Sequence, residues 1–222
     1  MKYKLLDETK VHNGVTLYRI QSLTDFNDVK SGDKGGWIEK ESNLSQYGDA
    51  WIYGNVMVFD DAKVYDDAQV YGDAKVYGNA KVHDYAKVHN HAEVYDYAEV
   101  FGNAWICEKA RVYDNAQVYG NAQVSVNAKV YGNAKVYEKA RVYSRAEVYG
   151  NAEVYDDAQV YDYAKVYGDA KVYGHAKVYG HAQVYGDAWV YDDAWVYGDA
   201  KVYDNAKDRK STRLNSSHVS QS

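Results

Sequence analysis

The sequence predicts an all-β protein, a single-stranded parallel β-solenoid with a β cap at its amino end. Three observations carry that expectation. From Ala50 to Ala206 the chain advances in steps of six, with Ala at every step except Val56, and two residues after each step as far as Val202 stands Val, or Ile at Ile52 and Ile106. Within each hexad, small or branched apolar residues alternate with polar or aromatic ones, the period of two that marks a strand. Proline is absent from all 222 residues, where average usage would supply about eleven. Self-similarity at a fixed short period, uninterrupted by insertions, is the signature of a stacked-repeat architecture.

Residues 1–46 stand outside the repeat. Lys2 to Leu6 and Val15 to Leu23 read as strands, and Asn13-Gly14 between them is a strong hairpin signal. Asp25 to Ile38 follows, and Asn43-Leu44-Ser45 leads into the first hexad. An open solenoid end exposes a row of unpaired N–H and C=O groups and needs covering. Residues 1–46 are therefore expected to form the amino-terminal cap.

Residues 47–207 carry the hexads. In Ala134-Lys135-Val136-Tyr137, Ala and Val point to one face of the strand and Lys and Tyr to the other, so Ala and Val form the core. Gly132-Asn133 and Asp114-Asn115 exemplify the next two positions, where residues that tolerate φ > 0 make a tight bend. A six-residue unit cannot bury its own apolar face, so successive units wind into coils whose strands pair in parallel. The period leaves no helical stripe, and a proline would remove a ladder donor in every coil.

Val130-Tyr131-Gly132-Asn133-Ala134-Lys135, an aliphatic residue followed four positions later by a small one, resembles the motif of the hexapeptide-repeat superfamily, and the match recurs over most of the chain. The resemblance implies a left-handed parallel β-helix of triangular section with about 18 residues per coil, hence about nine coils. Handedness comes from the resemblance alone, since parallel crossovers otherwise favour the right-handed form. The amino-terminal block is similar to that of uncharacterised bacterial and phage hexapeptide proteins labelled as transferases. At the other end, Asp208 to His218 resembles an in-frame translation of a sequencing-library adapter. Residues 208–222 are accordingly expected to be disordered and foreign to the protein.

With 18 residues per coil, positions 18 apart stack into columns. Tyr fills 20 of 26 outward aromatic positions, which makes the departures informative. Phe59 and Phe101 keep the aromatic character; His83, His89, Cys107 and Ser125 do not. His89, Cys107 and Ser125 fall in one column, a gap three coils high, with Trp105 two residues before Cys107 and Val126 at a corner where Gly or Asp is usual. That set is a candidate ligand notch, with neutral variation at a solvated position as the alternative. Trp51, Trp105 and Trp195 share another outward column, a candidate aromatic strip for glycan or protein. His175 falls between Asp157 and Asp193 in its column, but a corner offers no closed coordination shell and no metal is expected. Asn115, Asn133 and Asn151 should form an Asn ladder.

Several classes are excluded or disfavoured. No apolar run approaches the roughly 18 residues of a membrane span, and no secretory signal follows Met1, so the default location is cytoplasmic. The net charge of -6 offers no basic excess for nucleic acid. The single cysteine, Cys107, excludes an internal disulfide. An ice-binding face would need Thr arrays, and no Thr occurs between Thr24 and Thr212. Two functions stay open. One is a non-catalytic rod displaying Tyr ladders, with no cofactor. The other, implied by the resemblance, is a trimeric acyltransferase drawing on acetyl-CoA or another acyl-CoA, with His89 as general base and His83 second. Uninterrupted repetition favours the rod; homotrimers or end-to-end association are both compatible with it.

Overall fold

Alternation decides which side chains go inside. In the computed structural model, which describes residues 1–209, every Ala and Val of the hexads from Ala50 to Val202 except the corner residue Val126 is buried, while the intervening Lys, Glu, Gln and Tyr line the outside. The core is thus a narrow column of small and branched aliphatic groups, Ala and Val with Ile at Ile52 and Ile106.

Three strands belong to the cap and its junction: β1 (Tyr3–His12), β2 (Val15–Ser22) and β3 (Lys34–Ile38). The repeat then opens with β4 (Trp51–Ile52), β5 (Met57–Val58) and β6 (Lys63–Val64), and continues with one two-residue strand per hexad as far as Lys207–Asp208. Each of these pairs in parallel with the strand 18 residues on, as Trp51 with Gln69, Met57 with Lys75 and Lys63 with Lys81. The coil is therefore three hexads, and three sheets of 12, 9 and 9 strands form the faces of a prism. The hexads enter the first face at β4, the second at β5 and the third at β6. No α-helix occurs among the described residues.

The hydrogen bonds explain the missing prolines. Tyr131 N donates to Val148 O (3.0 Å), Asn133 N to Gly150 O (2.8 Å) and Lys135 N to Ala152 O (2.9 Å), so three donors per hexad reach the next coil. The first corner residue is left-handed in every hexad, from Gly48 (φ 68°) to Asp204 (φ 58°). Asp is the commonest non-glycine residue there because its short polar side chain tolerates that region.

The cap is built on the second face. β1 and β2 form the antiparallel hairpin expected at Asn13-Gly14, with His12 opposite Val15, although β1 runs on to His12 rather than ending near Leu6. β2 pairs with β3, and β3 runs parallel to β5 with Trp37 beside Met57, so stacking on the second face already begins at Lys34–Ile38. Lys2 reaches under the first coil, its Nζ donating to Ala50 O (2.8 Å) and Gly48 O (3.1 Å). Burial pulls its pKa down to about 8, opposed by Asp49 and Asp67. At the other end, Tyr191 N still donates to Asp208 O (3.0 Å). Most of the adapter-like segment, residues 210–222, lies outside the described residues.

Candidate functional site

Each face carries a column of aromatic rings, because the residue after each core Val or Ile points outward and recurs once per coil. On the second face, Phe59 and Tyr77 stack at 5.1 Å, Tyr77 and Tyr95 at 4.9 Å, and the series continues to Tyr203 without a break. On the third face His83 takes a full place in the ladder, its ring parallel to Tyr65 at 4.7 Å and Phe101 at 5.1 Å. Its Nδ1 lies 3.3 Å from Asp84 Oδ1 and its Nε2 3.4 Å from Glu99 Oε1. An imidazole held face to face and edge to carboxylate is a rung, which explains its substitution for Tyr. Asp66, His83 and Asp84 each bring one donor atom within 4.8 Å of the others. Asp84 Oδ2 is meanwhile occupied by the Gly102 amide at 3.0 Å.

The first face has the gap that the sequence locates. Tyr53 and Tyr71 stack at 4.9 Å, and Tyr143 resumes the stack with Tyr161 at 4.9 Å. Between them stand His89, Cys107 and Ser125. Tyr71 and Trp105 meet the His89 ring edge to face, at 6.4 Å and 5.5 Å. The Trp105 indole thus leans into the space a ladder ring would occupy. His89 Nε2 is buried without a hydrogen-bond partner among the described residues, and burial lowers the imidazole pKa, keeping it neutral. Burial, assisted by Glu108, raises the Cys107 pKa, the opposite of what a nucleophilic thiolate needs. Val126, at φ 65°, is a β-branched residue in a region that such residues rarely enter.

The aromatic strip needs a correction. Trp51, Trp105 and Trp195 do share the first face, but Trp51 is only 1% exposed. Tyr3 and Phe26 of the cap pack edge to face on its ring at 6.2 Å and 5.4 Å. Covering the first coil takes an aromatic plug, and Trp51 is part of it. Trp105 and Trp195 remain outside, 43% and 44% exposed, separated by Gln123, Arg141, Gln159 and Lys177.

Sequence reading missed a groove on that same face. It has a volume of about 750 Å³ and runs from Gln123 to Trp195, between the strand column and the corner residues Lys139, Asp157, His175 and Asp193. His175 lies within it, its Nδ1 4.0 Å from Asp157 Oδ2. Residue spacing places each column, but a groove between two columns is set by the side chains of both together.

A family model described as the YdcK beta solenoid repeat matches residues 68–84, 110–126 and 182–198. All three windows open on a core alanine, Ala68, Ala110 or Ala182, and end one residue short of a full coil. The repeat is similar to that of hexapeptide-repeat solenoids, and the matched windows cover under a quarter of the chain. Over 59 residues it is 39% identical to the Escherichia coli (strain K12) protein named uncharacterized acetyltransferase YdcK, covering 23% of this chain and 18% of that protein. The chain is a β-solenoid repeat protein with tyrosine ladders. No helix among the described residues is long and apolar enough to cross a membrane.

Proposed function

We propose that the chain is a non-catalytic rod whose faces present stacked aromatic and polar columns. One observation carries this reading: from Ala50 to Ala206 every coil has the same 18-residue path, with no loop leaving the stack to build an acceptor site. Length and surface are then the properties that repetition supplies, since a coil can be added without disturbing its neighbours beyond one interface.

The YdcK relative's name supports a second reading, acyl transfer from acetyl-CoA or another acyl-CoA with His89 as base. A neutral imidazole suits a general base, but the Nε2 of His89 is buried and, among the described residues, Cys107 and Ser125 beside it belong to no hydrogen-bonded relay. The deciding experiment is thiol release from acetyl-CoA over a panel of amino sugars, with wild type and His89→Ala. Both should match the enzyme-free blank; turnover that disappears in His89→Ala would replace the rod with the transferase.

A further inference from the structure

The three faces handle charge differently. On the second face Glu93 lies 3.5 Å from Lys75 and 3.2 Å from Arg111, and Glu147 lies 3.2 Å from Lys129 and 3.5 Å from Lys165. On the third, Glu99 lies 3.7 Å from Lys81, and Glu153 3.4 Å from Lys171. The equivalent column of the first face reads Gln69, Lys87, Trp105, Gln123, Arg141, Gln159, Lys177, Trp195. It contains no carboxylate, and among the described residues Lys87, Arg141 and Lys177 form no ion pair. On a chain of net charge -6, this column is a strip of cations with no carboxylate in their own column, interleaved with amides and indoles.

The groove opens on this strip, with Arg141, Lys177 and Trp195 on one wall and Asp157 and Asp193 on the other. Lys177 Nζ sits 4.9 Å from the centre of the Trp195 ring. We propose that the first face from Gln123 to Trp195 binds an extended acidic polysaccharide, a chain of pyranose rings bearing uronate carboxylates, lying along the solenoid axis. This deepens the rod reading and rests on it, by naming what the rod presents its surface to.

The chemistry of the two walls selects that ligand. Arg141 offers a planar fork of donors that matches a carboxylate, and Lys177 a second positive charge. Trp195, 44% exposed, offers indole surface for the C–H face of a sugar ring. Asp157 and Asp193 accept hydrogen bonds, which sugar hydroxyls can donate. A DNA backbone is anionic too but carries no ring hydroxyls to donate to those carboxylates, whereas each uronate ring does. Coils repeat at about 4.8 Å, close to the advance of one pyranose along an extended chain, so successive rungs can meet successive rings.

The test is affinity electrophoresis of the full chain in gels containing polygalacturonate, with dextran gels in parallel and each mobility normalised to a polymer-free gel. Wild type should be retarded by polygalacturonate and not by dextran, less so as NaCl is raised. Arg141→Gln/Lys177→Gln should weaken binding about tenfold, while Lys129→Gln/Lys165→Gln on the second face should leave it unchanged. Far-ultraviolet dichroism verifies that both variants are folded. Absence of retardation, equal retardation in dextran, equal effects of the two variants, or tighter binding of single-stranded oligothymidylate would overturn the proposal. Acetyl-CoA turnover read on the same samples separates the two readings: thiol release with retardation intact removes the rod alone, and loss of retardation without thiol release removes the glycan site alone.

Discussion

Asp84 serves its corner twice. Its backbone takes the left-handed turn at φ 55°, and its Oδ2 accepts the amide of Gly102 one coil on, at 3.0 Å. Asp60 with Gly78, Asp114 with Gly132, Asp156 with Gly174 and Asp162 with Gly180 repeat the arrangement at 3.0 to 3.3 Å. Asp below Gly is thus a vertical pair: one residue brings the acceptor, the other leaves its amide open to it. Asn133 and Asn151 add a parallel ladder of side-chain amides, joined at 3.0 Å and continued to Asp169 rather than to another Asn. Val126 has neither property. Its strain of about 1–3 kcal/mol exceeds the entropic penalty of a glycine, about 0.5–1 kcal/mol. Val126→Gly should therefore stabilise the fold by about 1 kcal/mol, read as a higher urea midpoint at unchanged slope; a lower midpoint would contradict the strain argument. The sequence marks Val126 as odd and an 18-residue coil stacks Asp below Gly, but the bond between them depends on a side-chain rotamer that no residue pattern encodes.

At the scale of the strand and its ring column, burial dominates the chemistry. Burial holds Tyr77, Tyr155 and Tyr161 up to about 12 from an ordinary 10, with help from Glu93 at Tyr77 and from neighbouring ladder tyrosines at Tyr155 and Tyr161. A folded pKa above the unfolded one favours the neutral ring, so the stabilisation is complete below pH 10 and is lost as pH rises through 12. In a titration followed at 295 nm, ladder phenols should ionise well above free tyrosine, and the urea midpoint should fall between pH 10 and pH 12. Ionisation near pH 10 with no loss of stability would show the ladders to be loosely packed. The hexad's strand, its outward ring and the gap at His89 were all legible, because each depends on position within a strict period. The orientation of Trp105 and the burial of Trp51 were not. Both depend on contacts across coils or with the cap, and no local pattern encodes the neighbour that covers a ring.

For the whole molecule, each coil touches only the coils above and below it, so stability is a sum of near-identical interfaces. Deleting residues 131–148 removes one complete coil and rejoins every column in register. Such a variant should unfold cooperatively near the wild-type temperature, with scattering that reports a rod shorter by about 4.8 Å. Deleting residues 131–139 instead puts Ala140 directly after Val130, and melting should become broad and early. Similar melting of the two variants would refute the register argument. The sequence revealed this architecture almost completely, since a repeat without insertions leaves only handedness and the ends to be supplied from elsewhere. In the cap, Asn13-Gly14 marks the hairpin, but its foundation on the second face depends on the pairing of β3 with β5, which no local pattern encodes.

The ladder bonds also fix how the molecule bears load. They run from coil to coil, parallel to the long axis, so tension along that axis strains one junction at a time and each junction that yields releases 18 residues, about 60 Å of extended chain. A sideways force instead divides over three faces and every coil. The prism is a beam that resists bending and unravels when pulled from its tip, like a spring paid out turn by turn.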